Sequence, residues 1–255
     1  MILHLDKQDP TARALVSAIQ TGDVPTLERL LAERPELATA RIDHRKWCGA
    51  QSRSLLHIAT DWPGHYPNGP AVVATLAQAG ADVNARFVGS HPETPLHWAA
   101  SGDNVAVIDA LLDAGADIEA SGGVIGGGTP LADARGFGQW DAARRLVERG
   151  ARTSLTDAAA LGLIDRVEAY FEDGETPTPD AITRAFWAAC HGGQRLVAEY
   201  VLVRGAEINW IGHGDTTPLD IARREDAERL VGRTAAANLV SWLEAQGAKA
   251  AAELR

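Results

Sequence analysis

At 255 residues, 45% hydrophobic and 23% charged, the chain is long enough to bury a sizeable core, and roughly 150 residues per domain makes it one or two domains. A formal charge of −10 with only three lysines, Lys7, Lys46 and Lys249, argues against nucleic acid as a partner, because phosphate contact needs a clustered basic face. Two isolated cysteines, Cys48 and Cys190, suit neither a disulfide framework nor a thiolate metal site, and no apolar run approaches the ~18 residues of a membrane span, so the expected setting is cytoplasmic, with no membrane partner.

In chain order, a first unit over 11–40 starts a helix at Asp9-Pro10, breaks at Gly22 and places Leu27, Leu30 and Leu31 on one stripe of a second helix. The second unit, 51–86, holds Ser54-Leu-Leu-His-Ile-Ala59 and later Gly80-Ala-Asp-Val-Asn-Ala85. The third, 91–120, repeats this as Thr94-Pro-Leu-His-Trp-Ala99 and Gly115-Ala-Asp-Ile-Glu-Ala120, and Val105, Val107, Ile108, Leu111 and Leu112 form the apolar stripe between them. Thr129-Pro-Leu-Ala-Asp-Ala134 opens the core of the fourth, 127–154. The fifth, 155–175, is short and shows no finger loop. The sixth, 181–209, has Phe186-Trp-Ala-Ala189 in place of the hexad, and the last, 216–249, carries Thr217-Pro-Leu-Asp-Ile-Ala222 and about nine extra residues between its helices. From the final Ala of a hexad to the following Gly is 16 residues at Ala99, Ala134 and Ala189, a period with fixed phase.

The hexads and their spacing resemble the ankyrin-repeat family, whose T-P-L-H-x-A signature marks a 33-residue unit of a β-turn and two helices. The resemblance implies an all-α solenoid of stacked helix-turn-helix units with short finger loops, a single domain over 1–255 that overrides the two-domain prior, and stability shared among neighbouring repeats. Degenerate end units resemble caps and favour a monomer. It also implies that His57 and His97, the hexad histidines, are struts between repeats rather than chemistry.

Partners in this family are engaged through finger tips and the groove-facing side of the first helices. Mapped by phase, that set is Trp47 from the first finger, Trp62, His65 and Tyr66 from the second helix end and its 63–70 insertion, His91, Glu93 and Trp98 of the third unit, and Asp133 at the hexad's variable position. Trp187 and His191 of the sixth unit follow, then Trp210, His213 and Asp215 of the last finger. The first finger also holds His44 and Arg45. Seven of the 14 aromatics are tryptophan, and five of them fall on this surface, where convergent aromatic and polar groups mark binding hot spots. Trp140 and Trp242 fall on second helices and read as packing.

Two functions follow. The first is a non-catalytic recognition protein whose groove holds a protein or peptide, the acidic charge favouring a basic partner. The alternative is a small-molecule site or enzyme centred on the second and third units, with Asp61 or Glu93 as acid/base and His65 or His91 as partner in hydrolysis, elimination or isomerisation. No nucleophile elbow, phosphate loop or dinucleotide fingerprint is present, the glycines over 122–128 lack the Lys-Ser/Thr of a phosphate loop, and no His pair has metal spacing. No cofactor and no metal are expected.

Overall fold

The computed structural model describes residues 2–46, 49–172 and 176–255. Trp47 and Cys48 lie outside the described residues. The chain forms two compact units, one through Ala151 and one from Arg152, and each is described by itself.

In the first unit, helices start where a side chain can satisfy the orphan amides of the first turn. The Asp9 carboxylate accepts from the amides of Thr11 (2.7 Å) and Ala12 (3.2 Å) to open α1 (Pro10–Thr21). Gly22 ends it at φ 67°. A Cβ at Gly22 would lie 2.1 Å from the Pro67 carbonyl oxygen, so the position needs glycine for both conformation and space. α2 (Val24–Glu33) returns along α1. Four more pairs of the same kind would be expected from the hexads, and the next three follow here: α3 (Leu55–Thr60) with α4 (Gly69–Gln78), α5 (Pro95–Ser101) with α6 (Val105–Asp113), and α7 (Pro130–Gly136) with α8 (Trp140–Glu148). Inner helices α1, α3, α5 and α7 pack in series, as do outer helices α2, α4, α6 and α8. Leu15, Leu27, Leu56, Leu76, Leu96, Ile108, Leu131 and Leu146 are fully buried between these layers. Trp140 belongs to the same core.

One element goes beyond an all-helical reading. β1 (His4–Asp6) runs parallel to β2 (Arg41–Lys46), which pairs antiparallel with β3 (Gly49–Ser54), so the first finger is a hairpin in a three-stranded sheet. Leu5 and Ile42 are partners in register and both point into the core. The second finger joins this sheet through paired amide and carbonyl groups of Ser52 and Val88, 3.0 Å each way.

In the second unit α9 (Leu155–Leu161), α11 (Pro179–His191) and α13 (Pro218–Ala222) form the inner series, and α10 (Ile164–Glu172), α12 (Arg195–Leu202) and α15 (Arg233–Ala245) the outer one. The extra residues of the last repeat fold as an additional helix, α14 (Glu225–Val231), packed on α15. The fifth repeat, short in sequence, has an intact hexad start. Ser154 caps α9, and the Asp157 carboxylate accepts from the Ser154 amide (3.0 Å). α11 begins before the hexad because Thr178-Pro179 supplies a cap and a first-turn proline, adding nearly two turns. Phe186 fills the centre of this unit's core.

Inner helices of the second unit meet closely at Gly192, whose φ of −83° any residue could adopt. A Cβ there would lie 1.8 Å from the carbonyl oxygen of Ala160, a backbone atom that cannot swing away. Gly192→Ala is therefore expected to destabilise this unit by about 2–3 kcal/mol through overpacking, read as a lower urea midpoint for the transition that exposes Trp187. An unchanged midpoint would contradict the close approach.

Candidate recognition surface

Where the fourth residue of a hexad is polar, it crosses to the backbone just ahead of the next turn into helix; Ala132, at that place in the fourth unit, cannot. His57 Nε2 meets the Glu93 carbonyl (3.1 Å), and His97 Nε2 meets the Gly128 carbonyl (3.1 Å). For His97 the tautomer is set by geometry: the Thr94 amide donates to Nδ1 (3.1 Å), so the proton sits on Nε2 and donates onward. Burial holds the His57 imidazole down to about 3 and lowers that of His97, so both struts are neutral near pH 7. In the sixth repeat the Trp187 indole N–H donates to the Thr216 carbonyl (3.2 Å), taking the histidine's place. In the last, Asp220 inverts the polarity: its carboxylate accepts from the Ala251 amide (2.8 Å).

Between the struts, the first unit presents an aromatic face. Trp98, at the variable position of its hexad and partly buried, lies 4.9 Å from the His57 ring in an edge contact and 5.2 Å from Phe87. Trp62 follows α3 and is 85% exposed. Both indoles line an open cleft of about 200 Å³ whose floor is made by the C-terminal ends of α3 and α5. Asp61 is fixed there twice, by the Arg53 guanidinium on one carboxylate oxygen and by the Trp62 amide on the other (3.0 Å). The turn carrying Trp62 is braced from both sides. His65 Nε2 meets the Gly102 carbonyl (2.8 Å), Gln20 donates to the Tyr66 hydroxyl (3.3 Å), and the Asn68 amide donates to the Gly22 carbonyl (3.0 Å).

The second unit has an aromatic face of its own. The His213 ring stands edge-on to Trp187 (5.6 Å) and to Trp210 (6.2 Å), and Trp187 lies 5.4 Å from His191. The Arg184 guanidinium covers Trp210 at 5.6 Å.

Residues 68–157 match the family model for ankyrin repeats, in three copies. These repeats are ankyrin repeats. Two ankyrin repeat and KH domain-containing proteins are similar to the chain. One, from Caenorhabditis briggsae, is 29% identical over 60% of this chain, and the other, mask-1 of Caenorhabditis elegans, is 29% identical over 55%. The chain aligns with only 6% of the length of either relative. Among solved structures, the human ASB11 ankyrin repeat domain superposes with a TM-score of 0.47 at 20% identity, covering 88% of this chain and 96% of that one. The ankyrin repeat domain of Bcl-3, a member of the IkappaB protein family, superposes with a TM-score of 0.49 at 23% identity, covering 86% and 97%.

Within this ankyrin frame the acid/base set expected from sequence is not assembled. Asp61 and His65 sit at the C-terminal ends of α3 and α5, whereas His91 and Glu93 precede the N-terminus of α5, about 10 Å away at 1.5 Å per residue over its seven residues. Sequence distance placed them within one and a half repeats, but an ankyrin helix puts its two ends on opposite edges of the groove. His65 and Tyr66 brace the turn. Glu93 is buried, and burial pushes its carboxyl up, opposed by a hydrogen bond from the Trp98 indole. Asp133, fully buried, accepts from the amides of Ile125 (2.8 Å) and Val124 (3.2 Å) and so holds the glycine-rich finger in a defined turn. Its carboxyl is also pushed up by burial.

Trp187 and His191 are likewise buried rather than presented. Trp187 is the strut, and His191 faces Asp226 at 3.6 Å, which, with Arg229, holds that carboxyl down to about 2. Trp210 is partly buried, His213 and Asp215 are exposed, and Asp215 lies 3.5 Å from Arg255. Trp47 lies outside the described residues. Ser101 lines the cleft and Arg53 holds its Asp61, although sequence phase does not select either and neither carries a local signal. Phe87, buried against Trp98, is the one aromatic residue of its finger. Among the described residues no group of three or more His, Cys, Asp or Glu could hold a metal ion, and no helix is long and apolar enough to cross a membrane.

Two predictions follow from the buried polar groups. With a folded-state value near 3 and an unfolded one near 6.5, His57 takes up its proton only on unfolding between those limits. Its contribution is complete above pH 6.5 and is lost as pH falls toward 3, by about 1.4 kcal/mol per pH unit. His57→Gln should remove about one proton from the pH dependence of unfolding free energy between pH 6 and 4, measured by urea titration; an unchanged slope would contradict a neutral strut. Asp133→Ala should leave the Val124 and Ile125 amides unpaired, at about 1–3 kcal/mol, and raise their hydrogen-exchange rates while those of α5 stay protected.

Proposed function

We propose that this chain is a recognition protein that binds a protein partner along the finger and inner-helix face of its first unit, with Trp62 and Trp98 as anchors. The observation that carries this is Trp62 itself, 85% exposed on a turn braced to two neighbouring repeats. A tryptophan buries about 150–250 Å² when covered, and a mobile turn would let it collapse, so rigid exposure is an arrangement made for a partner to complete. The cleft beside it is open and about 200 Å³, below the roughly 300–1,000 Å³ of small-molecule pockets, and the acid/base groups are spread over both groove edges. Ankyrin repeats generally serve as protein interaction modules, which supports a macromolecular partner over a metabolite.

Trp210, His213 and Asp215 on the second unit extend the proposed set of contacts. The acidic net charge disfavours nucleic acid. A cytoplasmic setting agrees with Cys190, a fully buried thiol whose ionisation burial suppresses.

A photo-crosslinking phenylalanine derivative at position 62 tests this against the same group at Ala77, on the outer-helix surface. In extract from the source cells, a discrete adduct is expected from position 62 and none from position 77. Excess unlabelled protein should compete, and Trp62→Ala should compete at least about tenfold less well, as for a hot-spot residue. Equal adducts from both positions, or undiminished competition by Trp62→Ala, would overturn the proposal.

A further inference from the structure

We propose that the Trp62–Trp98 cleft receives a guanidinium group, that of an arginine side chain on the partner protein. This rests on the protein-binding reading of the first unit and adds the chemistry of the bound group.

Two observations converge on it. First, elsewhere the chain covers partly exposed aromatic rings with its own arginines: Arg184 over Trp210 at 5.6 Å, Arg195 over Trp242 at 5.9 Å and Arg204 over Tyr200 at 3.3 Å. Among the described residues no arginine lies over Trp62, the most exposed of the large apolar side chains. Second, the cleft is built for positive charge. Its lining holds the Asp61 carboxylate, two indoles and the carbonyl-bearing ends of α3 and α5, and no cationic side chain. Indole faces and helix C-termini both favour a cation. Arg53 engages one Asp61 oxygen, and the Asp61 side chain as a whole stays 29% exposed.

Arginine fits better than lysine. A guanidinium is planar, stacks on an indole face and sheds water more readily than an ammonium, while its five donors reach several acceptors at once. A carboxylate or phosphate would meet Asp61 and two helix C-termini and be repelled.

The test uses blocked nine-residue Gly/Ser peptides with a central arginine, citrulline or lysine, titrated into the full chain at low ionic strength. The readout is the indole N–H resonances of Trp62 and Trp98, assigned from Trp62→Ala and Trp98→Ala. The arginine peptide should shift both resonances and bind at least fivefold more tightly than the citrulline peptide, which has the same shape without the charge. Binding should weaken with added salt and be lost in Trp62→Ala, whose exposed position leaves the fold intact by circular dichroism. Equal binding of citrulline, or no shift at Trp62 at millimolar arginine peptide, overturns the inference. A position-62 crosslink to a natural partner combined with equal citrulline binding removes the charge inference and keeps the protein-binding reading. Shifts at Trp62 without any crosslinked partner do the reverse.

Discussion

Three of the repeat junctions hang on one recurring bond, from the fourth residue of a hexad to the backbone immediately before the next hexad. A repeat exposes carbonyls at that point because its chain turns from finger into helix, and an unpaired buried carbonyl is expensive. His57 and His97 answer with an Nε2–H, Trp187 with an indole N–H. These are chemically different side chains with one shared property, a donor at the right reach. Asp220 meets an amide instead and so needs an acceptor. At these three junctions the donor fixes the register of one repeat on the next, and apolar residues such as Leu56 and Leu96 pack in phase.

Because the struts consume the hexad's polar residues, the surface left for recognition is narrow. It consists of the variable hexad position, the finger, and the turn after the inner helix. In the first unit Trp98 from the helix and Trp62 from the turn meet in one cleft, and Arg53 from the base of a finger holds the Asp61 at its edge. The 63–70 insertion could have been a floppy excursion. Instead Tyr66 and Asn68 tie it to the first repeat and His65 to the third, so the cleft wall has a defined position before any partner arrives. Such preorganisation reduces the ordering cost of binding.

Burial also explains why carboxylates that looked chemical are structural. Asp133 stands at the same hexad position as Trp98, which faces the groove, but the glycine-rich finger folds over it and offers two amides. Gly123 is required beneath it, since a Cβ there would lie 2.6 Å from the carboxylate. Glu93 is buried as well, bonded by the Trp98 indole, and its backbone carbonyl serves as the acceptor of the His57 strut. Neither residue was distinguishable from a groove-facing acid by spacing, because cover comes from a loop whose path depends on positive-φ glycines such as Gly122 and Gly126.

Sequence alone determined the repeat and the helix starts at Asp9, Thr94, Thr129 and Thr217, which depend on capping, fixed proline geometry and apolar period, all acting within a few residues of chain. The strut role of His57 and His97 is implied by the resemblance to ankyrin repeats, and their bonds reach 36 and 31 residues along the chain. Sequence also placed Trp62 at the end of an inner helix and Trp98 at the variable position of a hexad. Tertiary structure decided the rest: the hairpin that makes the first finger, the capped start of the fifth repeat, the extra helix of the last one, and the split of Asp61 and His65 from His91 and Glu93. Those outcomes depend on which backbone groups of a neighbouring repeat remain unpaired and which loop covers which side chain. The tryptophans show the division most clearly. Their number and phase are written in the chain, but exposure at Trp62 and a strut at Trp187 follow only from what the adjoining repeats place beside each ring.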